Sequence, residues 1–358
     1  MSHKPLLARI VLAASAVSAP LWAQTPLFTD GPAFGGSSIF SEGMNPLANP
    51  ARDGQAPKGY YFTYLNGDLQ AKDAESILNG SASSDPAAAS ASLAQLANAP
   101  WVLRTQAYGA SAAKDGGNLA LTREEFNSIL AYPDLTTANL NGGLGNNQST
   151  LDGRRATVDR LSIGGGGPMQ SGSTTALGVC LRMERWSMGE TVLNYNGLYS
   201  PFASATTTLL DSTGTSESSW NLGLDAGAVL ELAQGVRLGV TADQLISKHL
   251  WDVYLQPQFR AGLQLDLGQI AKLSLESDIN AVERMPFPVK QQSSSASLRF
   301  GLSAAAAFLV GVEQKKIDGV SVTNIGGTLQ IRTSSLLLAV GFQAGQDRPM
   351  KGGTFMVN

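Results

Sequence analysis

One cysteine, Cys180, and two histidines, His3 and His249, are all that the 358 residues provide of those types. A lone thiol cannot close an internal disulfide, so the chain must fold without covalent staples. Cys180 sits in an apolar-alternating stretch and reads as a small packed residue rather than a reactive thiol. So few imidazoles and thiols exclude a zinc constellation. A Ser–His hydrolase would need a serine and an orienting partner near His249, and no G-x-S-x-G elbow is present. Nor is there a P-loop: Gly164 to Gly167 run into Pro168 and Met169, which suits a strand bend better than a phosphate cradle. No enzyme site and no cofactor are therefore expected. Charge is scarce too, at 15% of residues and a formal net of −3, so no concentrated Lys and Arg suggest a nucleic-acid partner. Long hydrophobic runs are also missing. Gly301 to Val312 is the most apolar stretch after the N-terminal region, and it falls far short of the roughly 20 residues of a spanning helix.

What is present begins with an export pattern. Lys4 and Arg9 form a short basic region, Ile10 to Ala19 an almost unbroken apolar stretch, and Ala23 a small residue before Gln24. That order predicts a Sec-type signal peptide over residues 1–23, and no Cys follows it to make a lipoprotein.

Residues 24–57 read as an irregular segment, with Gly35 to Ala51 rich in Gly, Ser, Pro and Asn. Residues 58–157 are mixed. Tyr60, Phe62 and Tyr64 suit a strand over Lys58 to Leu65, and Val102 to Ala112 suits another. Asp85 with Pro86 predicts a helix through Ala97. Thr122 with Glu125 forms a capping box, and Phe126, Ile129 and Leu130 would share one face of a second helix. Together these suggest a small helical insertion, followed by a polar loop over Asn139 to Gly153.

From residue 158 to 358 the period is two. Trp220, Leu222, Leu224, Ala226, Ala228, Leu230 and Leu232 alternate with polar or small residues. Val253, Leu255, Phe259, Ala261, Leu263 and Leu265 read as a second such run, and Leu273, Leu275, Ile279 and Ala281 as a third. Charged residues on the opposite face, among them Asp225, Glu231, Asp266, Glu276 and Asp278, mark it as wet. The strands run to about ten residues, the length a tilted membrane strand needs, against about five or six in a soluble sheet. Short connections such as Ala233 to Gly235 and Thr333 with Ser334 alternate with long ones such as Ser187 to Ser219. This is the rhythm of outer-membrane hairpins. Trp186, Trp220 and Trp251 fall where strands meet long loops and are expected to form an aromatic girdle. The expected fold is all-β, a transmembrane antiparallel β-barrel of about 12–14 strands with an N-terminal plug-like segment. Lys351 to Asn358 would be the closing strand, with Phe355 and Val357 toward lipid.

Asn49-Pro50-Ala51 in an irregular segment, an aromatic first strand, an Ala-rich insertion and a run of long strands resemble the TraF-type outer-membrane proteins, distant relatives of the FadL channels. That resemblance implies that Asn49, Pro50 and Ala51 lie in the lumen as part of a plug. It implies a channel for small or apolar solutes in the bacterial outer membrane. The alternative is a structural or interaction component of a conjugation or secretion apparatus, docking through Asp85 to Ala131. The partners expected are outer-membrane lipid, the barrel-assembly machinery and, under the alternative, an envelope transfer apparatus.

Overall fold

The computed structural model describes residues 37–40, 49–51, 58–67, 74, 76–77, 91–92, 94–97, 100–134, 149–169, 175–194, 217–268, 270–303, 305–345 and 350–357. The export signal expected over 1–23 and most of the helix expected over Asp85 to Ala97 lie outside these residues.

Strands come in hairpin order: Gly59–Gly67 (β1), Trp101–Lys114 (β2), Gly117–Tyr132 (β3), Thr150–Pro168 (β4), Thr175–Asn194 (β5), Glu217–Ala233 (β6) and Val236–Asp243 (β7). Two three-residue strands, Lys248–Leu250 (β8) and Val253–Leu255 (β9), make a separate small hairpin. There follow Gln258–Asp266 (β10), Ala271–Asp278 (β11), Val282–Arg284 (β12), Val289–Ser303 (β13), Ala306–Ile317 (β14), Val320–Arg332 (β15), Leu336–Gly345 (β16) and Met350–Val357 (β17). Every neighbour in the main sheet is antiparallel. The fifteen-stranded sheet, less β12 on its margin, closes as a ring of fourteen. The last strand pairs with the first, Val357 opposite Tyr60 and Phe355 opposite Phe62, and both Phe355 and Val357 face outward. Among the described residues closure leaves the ring of fourteen without a free edge, which is what a β-structure in lipid requires.

Lipid dictates the outer face. Tyr60, Phe62 and Tyr64 on β1, Leu177, Val179, Leu181 and Met183 on β5, and Leu336, Leu338, Val340 and Phe342 on β16 are all exposed outward. Their sequence neighbours point in. The tight turn joining β2 to β3 uses Asp115 and Gly116, both at positive φ (50° and 84°). That pair matches the right-handed twist of the strands it connects.

Two expectations need correction. Thr122, Glu125, Phe126, Ile129 and Leu130 belong to β3 and not to a helix. Residues 101–132 are therefore barrel wall, and the pattern change at 158 falls inside β4 and marks no boundary in the fold. Val253 and Leu255 do not share a strand with Phe259 either: they lie in the small hairpin and are buried, whereas Phe259 faces outward on β10.

Candidate functional site

The site is the lumen, and its lining divides by height. Across β1 to β6 one outward row is in direct register: Tyr64, Tyr108, Arg123, Asp159, Arg185 and Trp220. On the short-turn side of this row apolar side chains point out. On the long-loop side Phe126, Ala156, Val158, Trp186 and Met188 point in, where water replaces lipid as the outer surroundings. Thus on β5 Leu181 and Met183 face out, and Trp186 and Met188 are buried inside. On β4 Ile163 faces out, and Val158 and Ala156 are buried.

The inward set beyond the row forms one apolar cluster: Phe126, Ala156, Val158, Trp186, Met188, Leu250, Val253, Leu255 and Met285, with Trp251 packed against it. The β8–β9 hairpin contributes Leu250, Val253 and Leu255 and so roofs the cluster. A clasp on Arg154 of β4 holds that roof. Its guanidinium donates to both carboxylate oxygens of Asp252 (2.9 and 2.8 Å) and to the Pro286 carbonyl (2.9 Å). It also pairs with Asp152 (3.2 Å) and Glu190 (3.0 Å) and lies 4.6 Å over the Phe287 ring. Trp251 Nε1 donates to Glu217 (2.8 Å). Burial raises the Asp152 carboxyl to about 6, against the pull of Arg154.

At the level of the outward row the inner face is ionic. Arg160 bridges Glu124 and Glu184, both at 2.7 Å, and Arg182 bridges Glu184 (3.2 Å) and Asp225 (2.7 Å). Glu184 also accepts from Trp186 Nε1 (3.0 Å) and Asn221 Nδ2 (2.8 Å). Further round, Arg260 pairs with Asp278 at 2.8 Å.

N-terminal residues occupy the same space. Glu276 on β11 accepts hydrogen bonds from the Ser37 hydroxyl, the Ser38 hydroxyl (2.7 Å), and the backbone N–H groups of Ser38 (3.1 Å) and Ile39 (3.0 Å). Arg260 donates to the Ser38 hydroxyl (2.7 Å). Asn49 donates to the Ile39 carbonyl (3.0 Å) and accepts from the Ala51 N–H (3.0 Å), tying the two pieces together. They lie on a track of glycines. Gly166, Gly178 and Gly227 are lateral neighbours on β4, β5 and β6, as are Gly239 and Gly262 on β7 and β10. A Cβ at Gly166 or Gly178 would strike Pro50, one at Gly227 the Asn49 side chain, and one at Gly239 the Ile39 side chain. Small inward residues were visible in the sequence only as ordinary strand glycines.

The three tryptophans do not share one environment. Trp186 is 0% exposed, Trp220 is 61% exposed on the outer wall, and Trp251 packs on the inner cluster. The sequence missed Tyr64, Tyr108, Arg123 and Arg185, which occupy Trp220's row. Asp225, Glu276 and Asp278 are buried inward. His249 stacks on Tyr254 in the small hairpin, with ring centroids 4.5 Å apart.

No family profile and no curated protein matches the chain. Solved structures do. The Ralstonia pickettii toluene transporter TbuX aligns over 92% of this chain and 97% of its own, at 12% identity and a TM-score of 0.53. The monoaromatic hydrocarbon channel CymD aligns over 94% and 97%, at 10% identity and 0.55. The Pseudomonas putida toluene transporter TodX aligns over 96% and 100%, at 11% identity and 0.52. The barrel shares its fold with these hydrocarbon channels. At such identities the likeness is one of fold, and what this barrel does follows from its own lumen.

Proposed function

We propose that the chain is an outer-membrane channel for small apolar solutes, with residues 37–40 and 49–51 part of a plug seated in its lumen. The observation that carries this is the apolar cluster inside the barrel on its long-loop side. An aqueous pore has no use for buried tryptophan and methionine at its mouth, whereas an apolar solute leaving water gains roughly 25 cal/mol for each Å² it buries there. Beneath the cluster the ion-pair row lines the wall over β3 to β6, and residues 37–39 are held on Glu276 of β11, so passage past them requires the plug to shift. The fold shared with toluene and monoaromatic hydrocarbon channels supports the same reading. The TraF-type label and a conjugation or secretion role gain no support, since residues 101–131 of the proposed docking insertion are barrel wall.

Labelled toluene uptake by cells carrying the barrel is the test. Cells with the wild type are expected to accumulate it several-fold faster than cells with empty vector. Val253→Asp, which puts a charge in the cluster, should return uptake to the vector level. Equal uptake by wild type and vector, with a heat-modifiable barrel present in the outer membrane, would overturn the channel reading.

A further inference from the structure

The outer wall carries a feature that transport through the lumen does not use. Below the outward row on the short-turn side runs a second row in register, Phe62, Ala110, Leu121, Leu161 and Met183. The two rows, Tyr64 apart, line a concavity of about 840 Å³, in the size range of roughly 300–1,000 Å³ typical of small-molecule sites. Its floor is apolar, and its rim carries Arg123, Asp159 and Arg185 between the rings of Tyr108 and Trp220.

Position decides what can occupy it. The rim lies toward the long connections, which in an outer-membrane barrel face outward, so this is the headgroup level of the outer leaflet. A floor facing lipid meets acyl chains. The rim meets what those chains carry. Two arginines against one aspartate leave one positive charge. Arg123 spends Nη1 on Asp159 (3.3 Å), which orients its fork and leaves its other donors available. Arginine is the side chain suited to hold phosphate oxygens in pairs.

Taking the outer-membrane reading above as given, we propose that this concavity binds a phosphorylated glycolipid of the outer leaflet, of the lipid A type. One acyl chain lies along Phe62, Leu121 and Met183, and a phosphate lies between Arg123 and Arg185.

The test is retention of lipid through detergent exchange, read by native mass spectrometry on the purified full-length barrel. The probes are bisphosphorylated lipid A, its dephosphorylated form and inorganic phosphate. Wild type is expected to retain lipid A at least about tenfold better than the double variant Arg123→Gln with Arg185→Gln, a difference of about 1.4 kcal/mol. Met183→Trp, which fills the floor, should lose retention with the rim intact. Dephosphorylated lipid A on wild type should behave like lipid A on the double variant, and this arm decides even where a variant fails to fold. Equal retention of the two lipids by wild type overturns the proposal, as does displacement of lipid A by millimolar inorganic phosphate alone. The channel reading fails separately, through toluene uptake, so loss of either leaves the other standing.

Discussion

Residues 123 and 124, 159 and 160, and 184 and 185 are sequence neighbours that stand on opposite faces of the same wall. Outside, Arg123 and Asp159 pair at 3.3 Å with side chains 43% and 48% exposed. Inside, Glu124, Arg160 and Glu184 pair at 2.7 Å with side chains 2%, 7% and 1% exposed. The chemistry is the same and the surroundings are not. An exposed pair contributes about 0–1 kcal/mol. A buried pair gains little over an apolar substitute, yet breaking it costs about 3–5 kcal/mol because the surviving charge has nowhere to go. The inner row therefore fixes geometry across β3 to β6 more than it adds net stability.

Arg160→Ala is the substitution that breaks this contrast hardest. It strands Glu124 inside the wall and should cost about 3–5 kcal/mol, read as a fall in the urea midpoint of heat-modifiable mobility. Arg160→Met combined with Glu124→Gln removes both charges and should recover most of that loss. If the single and double variants unfold alike, the inner row is not held by charge pairing.

The same inside–outside division explains what the sequence disclosed. Where lipid lies outside, period two holds, and the outward face of β6 could be read residue by residue. Beyond the arginine–aromatic row the apolar residues change face. On β3, Leu119 and Leu121 point out, whereas Phe126 and Leu130 are buried. Phe126 and Leu130 share the inward face and Ile129, on the opposite face, is buried as well, so the three stand at spacings of three and one, which imitates a helix behind the Thr122–Glu125 capping box. Trp186 was misplaced for the same reason, since it lies one residue beyond Arg185 of the row and so faces inward. The glycine track was illegible for another: three glycines on β4 to β6 and two on β7 and β10 become neighbours only when the register aligns each set.

The clasp beyond the row tests the division by pH. Asp152 stands well past Asp159 along β4, outside the lipid zone, and its carboxyl is raised from 3.8 to about 6 by burial. Between these values the folded rim holds a proton that the open chain has lost, so stability contributed by this group falls as pH rises through about 6. Amide protection factors in residues 248–255, with the intrinsic exchange rate at each pH divided out, should accordingly be higher at pH 5 than at pH 7.5. Asp152→Asn, neutral at both, should flatten that dependence. An exchange ratio unchanged by Asp152→Asn would mean that another group sets it.

The smallest effect is expected outside. Asp159→Asn removes the partner of Arg123, but the guanidinium is left beside water and headgroups, so the barrel should lose no more than about 1 kcal/mol. Salt sharpens the comparison, because screening acts on exposed pairs and hardly reaches buried ones. Raising ionic strength should erase the difference between Asp159→Asn and wild type while leaving the Arg160→Ala loss in place. The same aspartate orients Arg123 on the outer rim, so the variant separates two roles that the inner row combines. A pair that matters for stability stays salt-insensitive, whereas a pair kept for its outward donors loses little on unfolding and shows its effect in retained lipid.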